Sequence, residues 1–248
     1  MTIAAGFSCR DGLVLCADQQ IGTDQYKYYE NKVFITNLAK GCAVTVYAGF
    51  PGTMNTIMGE FRKRIKDQDK TCEEVRAHLK ESLELSIPAK SKEQHQMLCG
   101  ICDANTRMLL RTENREVFLA STWECIGFAD SALVRYIAGI FMKLGMPLSM
   151  WQAKTLCVYL IAQAKKYGQS VGGPTNIVSI SETGWFEEFN PSFTEALEKE
   201  LDNAEFTLSV LLTVLTDARS HKADSDMAIE ELSKYLKTLS VQLRGHMQ

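Results

Sequence analysis

The residue near the start of this chain with the clearest chemical potential is Thr2, which follows Met1. A threonine hydroxyl is a weak nucleophile and needs an adjacent base. A threonine at a free N-terminus carries its own, because an α-amine has a pKa of about 8. Removal of Met1 would therefore turn Thr2 into a self-activating nucleophile, whereas a retained Met1 would leave it an ordinary first-strand residue. Other constellations carry less chemistry. Cys99 and Cys102 form a Cys-x-x-Cys pair inside the apolar run Gln96–Cys102. That run reads as a strand, on which residues three apart face opposite sides and cannot chelate together. A zinc site would also need a second ligand pair. His78, His95, His221 and His246 show no ligand spacing, and no phosphate-binding glycine loop appears. Tyr26, Tyr28 and Tyr29 with Lys27 are better read as a loop packing its aromatics than as a base-stacking surface.

The elements around these residues follow from pattern. Thr2–Ser8 and Leu13–Ala17 read as two strands joined by the turn signal Arg10-Asp11-Gly12. A polar, Tyr-rich loop spans Gln19 to Asn31, and strands are expected at Lys32–Ile35 and Cys42–Tyr47. Gly49, Pro51 and Gly52 end the last of these. Met54, Ile57, Met58, Phe61 and Ile65 then recur at helical spacing. Thr71-Cys72-Glu73-Glu74 is a capping box opening a second helix. Gln96–Asp103 and Arg107–Arg111 form a hairpin, Trp123–Gly127 a short strand, 131–144 and 149–167 two helices, and Pro174–Ser181 a strand. Residues 182–192 read as a loop or edge segment. The tail reads as helix, with a break near 219–226. Its segment Phe206–Leu215 is apolar on most sides, so burial is expected. Blocks of strands alternating with pairs of helices argue for a layered α+β domain rather than a doubly wound sheet.

Composition narrows the class. With 248 residues, 46% of them hydrophobic, the chain can bury a core unaided. A net charge of −3 gives no clustered basic footprint for nucleic acid. The longest apolar runs are too short for a membrane span, and the first residues lack a signal-peptide pattern, so a cytoplasmic protein is expected. Eight cysteines fit that compartment as reduced residues, several in apolar runs.

Several short motifs, taken in order, resemble the proteasome β-subunit family of N-terminal-nucleophile hydrolases and its bacterial heat-shock-locus relative. They are Thr2-Ile3-Ala4-Ala5-Gly6, Asp11-Gly12, Leu13–Asp18, Lys32–Ile35, Ala48-Gly49 and Val171–Ile180. The resemblance covers residues 2 to 181. It implies a four-layer αββα sandwich over 1–192, with 193–248 a helical extension packed on it or on a neighbouring subunit. It implies a threonine-type amidohydrolase or peptidase. In that enzyme Lys32 would lower the pKa of the Thr2 hydroxyl and Asp18 would fix Lys32. The Gly49 N–H would donate to the oxyanion. No cofactor or metal is expected. The implied partners are a peptide or amide substrate and further copies of the chain, in a ring or helical assembly, with any unfoldase unidentified. The sequence departs from the family at Phe128, Gly168 and Val171, where a Ser, an Asp and a Ser are usual; Ser131 and Ser170 lie close by. These departures motivate a second reading, a non-catalytic structural or assembly subunit. A third is a transferase that intercepts the acyl-enzyme with an amine. Outside the resemblance, Asp18 and Lys32 could instead form an exposed ion pair.

Overall fold

The computed structural model describes the chain except residues 1, 23–25, 92, 104, 128–130, 144–146, 169–170, 217–221 and 246–248, and except the side chains of 131, 214–225 and 242–248. It divides into two compact units, 1–194 and 195–248.

The first unit is built on an opening hairpin of β1 (Ile3–Cys9) and β2 (Gly12–Asp18), registered from Cys9↔Gly12 to Ala4↔Ala17. Asp11-Gly12 makes the turn, as the sequence predicts. On one side β1 pairs with β10 (Trp123–Gly127); on the other β2 pairs with β11 (Thr175–Ser181), which pairs with β12 (Phe186–Glu188). All pairings in this five-stranded sheet are antiparallel. A second antiparallel five-stranded sheet runs in sequence order. Its strands are β5 (Val33–Leu38), β6 (Gly41–Ala48), β7 (Gln96–Cys102), β8 (Arg107–Glu113) and β9 (Glu116–Leu119). The sheets meet through a buried cluster that includes Leu13, Leu15, Val44, Val46, Leu98, Leu109, Val178 and Ile180.

Helices cover the outer faces. α1 (Pro51–Ile65) and α2 (Cys72–Ser86) bury Met54, Phe61, Val75 and Leu79 with Tyr47, Met97 and Cys99 of the second sheet. α3 (Ser131–Met142) contacts β10, and α4 (Met150–Tyr167) lies on β1, β2 and β11. The Thr71 capping box forms as expected, and α4 has one too, from Ser149 and Gln152. Cys99 falls in the helix-facing cluster and Cys102 in the inter-sheet cluster, so the two thiols occupy opposite faces of β7. All eight cysteines are free and buried. Burial pushes the thiols of Cys9, Cys42, Cys99 and Cys125 up to about 12, which suppresses the reactive thiolate.

Two differences from the sequence expectation concern short strands, the first being β9, which forms where no strand was expected. Inside the stretch read as a loop, β3 (Gln20–Gly22) and β4 (Lys27–Tyr29) form a two-stranded ribbon. Among the described residues no helix is long and apolar enough to cross a membrane.

The second unit consists of the greater part of α5 (Pro191–Thr216) and α6 (Lys222–Gly245), with the Tyr235 hydroxyl donating to the Glu200 carbonyl. Residues 222–226, expected in a break, are helical; 219–221 lie outside the described residues. The apolar segment of α5 is not buried as expected. Leu211 is, but Phe206, Leu208 and Val210 are exposed, and Val214 and Leu215 lie outside the described side chains. Two helices offer too little partner surface to cover a helix that is apolar all round.

Candidate active site

The end of β2 and the start of β1 come together because an antiparallel hairpin returns its second strand to its origin. Asp18 closes β2 beside Ile3, and its Oδ1 accepts the Ile3 N–H at 3.1 Å. Thr2, the residue before, is 5% exposed. Lys32 precedes β5 in the other sheet, and its Nζ reaches Asp18 Oδ1 at 2.9 Å and the Gln20 carbonyl at 2.6 Å. Asp18 Oδ2 accepts the N–H groups of Gln20 (3.1 Å) and Gly172 (3.2 Å). Both charged side chains are fully buried.

Burial raises the Asp18 carboxyl pKa above its ordinary value, opposed first by the Lys32 charge and then by its hydrogen bonds. Burial lowers the Lys32 pKa, opposed by Asp18. Lys32 therefore releases its proton more readily than a surface lysine.

Gly49 is the first residue past β6. A side chain there would meet Met54 Cε at 2.8 Å and His95 Nδ1 at 3.3 Å, so the position admits only glycine without rearrangement. Gly127, at the end of β10, pairs with Ile3, and a side chain on it would collide with the Thr2 carbonyl.

Of the four residues singled out from sequence, Asp18 and Lys32 are thus in direct contact, and Thr2 is tied to them through the next backbone amide. Gly49 stands at the end of the strand beside Gln96, whose Oε1 accepts the Gly127 N–H at 3.0 Å. Gln20 and Gly172 escaped sequence reasoning, although both shape the site through backbone atoms. The Gly172-Gly173 turn was the available signal, since it precedes the strand in which Thr175 pairs with Asp18. Of the departures from the family, Phe128 lies outside the described residues, Gly168 ends α4 and Val171 is buried; of the nearby serines, Ser170 lies outside the described residues and Ser131 outside the described side chains. Among the described residues no group of three or more His, Cys, Asp and Glu side chains is placed to hold a metal ion.

Two stacked antiparallel sheets, with a threonine one residue from the amide that a buried lysine–aspartate pair holds, define the class of this fold. No family model matches the sequence, and no curated protein matches it. Solved structures do. A Gly-1 mutant of Anbu from Hyphomicrobium sp. strain MC1 superposes with a TM-score of 0.70 at 12% identity, covering 86% of this chain and 100% of its own. Anbu, an ancestral beta-subunit, from Yersinia bercovieri gives 0.68 at 12% identity, covering 89% and 99%. The helical assembly of the Anbu complex from Pseudomonas aeruginosa gives 0.64 at 12% identity, covering 83% and 95%.

The chain therefore has the α+β fold of the Anbu proteins. This corrects the family assignment drawn from the opening motifs, which pointed to the proteasome β-subunit family and a divergent bacterial member of it. The structures that match are named Anbu, and no family model supports the other assignment. The physical reason is that those motifs encode a hairpin, a turn and an ion pair. Such features specify local geometry and do not separate one branch of a fold from another.

Proposed function

We propose that this chain is a threonine-type amidohydrolase, in which removal of Met1 exposes Thr2 as the N-terminal nucleophile. The observation that carries the reading is the fully buried Asp18–Lys32 pair, bonded to the first strand through the Ile3 N–H one residue beyond Thr2. On this reading the helix–sheet–sheet–helix order is a four-layer αββα sandwich, and residues 193–248 are a helical extension to it.

The Thr2 hydroxyl attacks the carbonyl of a peptide or other amide while its proton passes to the α-amine. Lys32 stabilises the developing alkoxide, and Asp18 holds Lys32. The Gly49 N–H donates to the oxyanion, a contribution on the order of 3 kcal/mol for such a donor. Collapse expels the amine, which takes the proton, and water then hydrolyses the ester and restores Thr2.

Intact-mass spectrometry with and without a β-lactone probe tests this directly. The expected result is a chain lacking Met1 that gains one probe adduct, lost in Thr2→Ala. A chain that retains Met1, or a Thr2→Ala variant that keeps its amidase turnover, would end the proposal.

Self-association belongs to the same reading. Phe206, Leu208, Met227, Ile229 and Leu236 of the helical unit are exposed, as is usual for surfaces that pack on a partner. One structural neighbour is named as a helical assembly. The competing reading, a non-catalytic assembly subunit, is favoured by Gly168 and Val171 standing where auxiliary polar residues were expected. It predicts oligomers in solution with no probe adduct.

A further inference from the structure

The start of β7 reaches both ends of the proposed chemistry. Successive residues of a strand point to opposite faces. His95, just before β7, turns toward the α1 side, where its Nδ1 lies against the position a Gly49 side chain would take. His95 is 2% exposed, and it is held from three directions. Its Nε2 lies 3.4 Å from a Glu93 carboxylate oxygen, its N–H donates to Asn114 Oδ1, and its carbonyl accepts the Asn114 N–H. Gln96 turns toward the opposite sheet, where its Oε1 accepts the Gly127 N–H. Gly127 is the residue that lies against the Thr2 carbonyl, with no room between them for a side chain. Gln96 also pairs with Ala48, the residue before Gly49.

We propose that Gln96 is a positioning residue for Thr2: by gripping Gly127 across the gap between the sheets, it fixes the backbone beneath the nucleophile relative to Gly49. The two reacting groups start on different sheets, β1 in one and the end of β6 in the other. The sheets are joined mainly by apolar side chains, which resist separation but give little resistance to small sliding. The Lys32–Asp18 pair already links the sheets beside Ile3, and the Gln96–Gly127 hydrogen bond adds a second directed restraint, on the strand that lies against the Thr2 carbonyl. The geometry matters because a displacement of about 1 Å can cost about a hundredfold in rate. This inference rests on the Thr2 reading above.

The test uses the full chain with a β-lactone probe and follows adduct formation by intact mass as probe concentration rises. Gln96→Leu removes the acceptor while filling similar space. It is expected to lower the limiting acylation rate about tenfold to a hundredfold, with the half-saturating probe concentration unchanged. Gln96→Glu keeps an acceptor oxygen and is expected to recover most of the rate. Should Gln96→Leu fail to fold, Gln96→Asn, one methylene too short, takes its place with the same expected loss. A limiting rate equal to that of the parent chain in Gln96→Leu, or an equal loss in Gln96→Leu and Gln96→Glu, would overturn the proposal. Thr2→Ala separates the two ideas: it must abolish the adduct, and if it does not, the nucleophile reading itself has failed.

Discussion

Two lysines bracket β5, and each pairs with an aspartate. Lys32, just before the strand, lies 2.9 Å from Asp18, and Lys40, in the turn after it, lies 2.6 Å from Asp69. The shorter pair is the less consequential one. Lys40 and Asp69 are 62% and 64% exposed, whereas Lys32 and Asp18 are fully buried. Surroundings rather than distance set the worth of an ion pair, because charges taken out of water carry a desolvation cost of several kcal/mol each. The buried pair offsets that cost with directed bonds. Asp18 is held by the N–H groups of Ile3, Gln20 and Gly172 as well as by Lys32, and Lys32 also donates to the Gln20 carbonyl. The Lys40 end has a groove of about 640 Å³ lined by Leu38, Gly41, Gly184 and Trp185, but its charged lining residues, Lys40 and Asp67, are exposed. A large groove and a perturbed ion pair thus stand apart in this molecule. Chemistry is better sought at the pair, where burial changes what the side chains can do.

The largest expected effect tests that contrast. Lys32→Met leaves the Asp18 carboxylate buried without its cation, and removal of one partner of such a pair costs about 3–5 kcal/mol. Urea unfolding at pH 7 would show the loss, and adduct formation at Thr2 should fall with it. The pH response has a definite sign. With Lys32 gone, the folded-state pKa of Asp18 lies still further above the unfolded value of about 3.9. A group raised in this way binds more protons folded than unfolded across that window, so the variant should regain stability as pH falls from 7 toward 4. An unchanged midpoint at pH 7 would show that the corner tolerates a lone carboxylate, and the contrast with Lys40 would vanish.

A smaller effect is expected at His95. Burial lowers its pKa below the ordinary value, and the Glu93 carboxylate only partly opposes this. Below about pH 6.5 the unfolded chain therefore takes up a proton that the folded chain refuses. Stability should decline on acidification through that window, by at most about 1.4 kcal/mol per pH unit for one proton. His95→Gln should flatten the slope between pH 6.5 and the lower folded-state pKa. Urea midpoints for the parent and variant chains, measured at half-unit steps, would decide it; parallel curves would remove His95 as the source.

Much of this architecture can be read before folding, and the gaps have a common cause. The β1–β2 hairpin is legible because Asp11-Gly12 marks its turn between two apolar strands, and α2 because its capping box sits at Thr71. The β3–β4 ribbon and β9 are not. In β4 and β9, Tyr28, Tyr29, Phe118 and Leu119 are exposed, so no buried face imposes the alternation by which a strand announces itself, and β3, though buried at Gln20 and Ile21, is too short to show one. The apolar stretch of α5 misleads in the opposite direction, since composition reports a need for burial without saying what provides it. At the site, Thr2, Asp18 and Lys32 stand out by residue type. Gln96 and Gly172 do not, because they act through single hydrogen bonds to Gly127 and Asp18 over separations of 31 and 154 residues. Only register between strands and sheets brings such partners together.

The smallest effect completes the contrast and is its most discriminating control. Lys40→Met removes a cation from a solvated pair, and water replaces the lost partner at Asp69 with little penalty. Exposed pairs of this kind contribute about 1 kcal/mol or less, because the gain in attraction is offset by side-chain ordering and screening. The urea midpoint should barely move, any change should shrink further in 1 M salt, where the screening length is about 3 Å, and acylation at Thr2 should match the parent. A large loss on Lys40→Met would mean that the turn after β5 carries load beyond the solvated pair, as when a second copy of the chain is seated over Trp185. Salt dependence separates the two cases: a solvated ion pair weakens with salt, whereas an apolar contact at Trp185 does not.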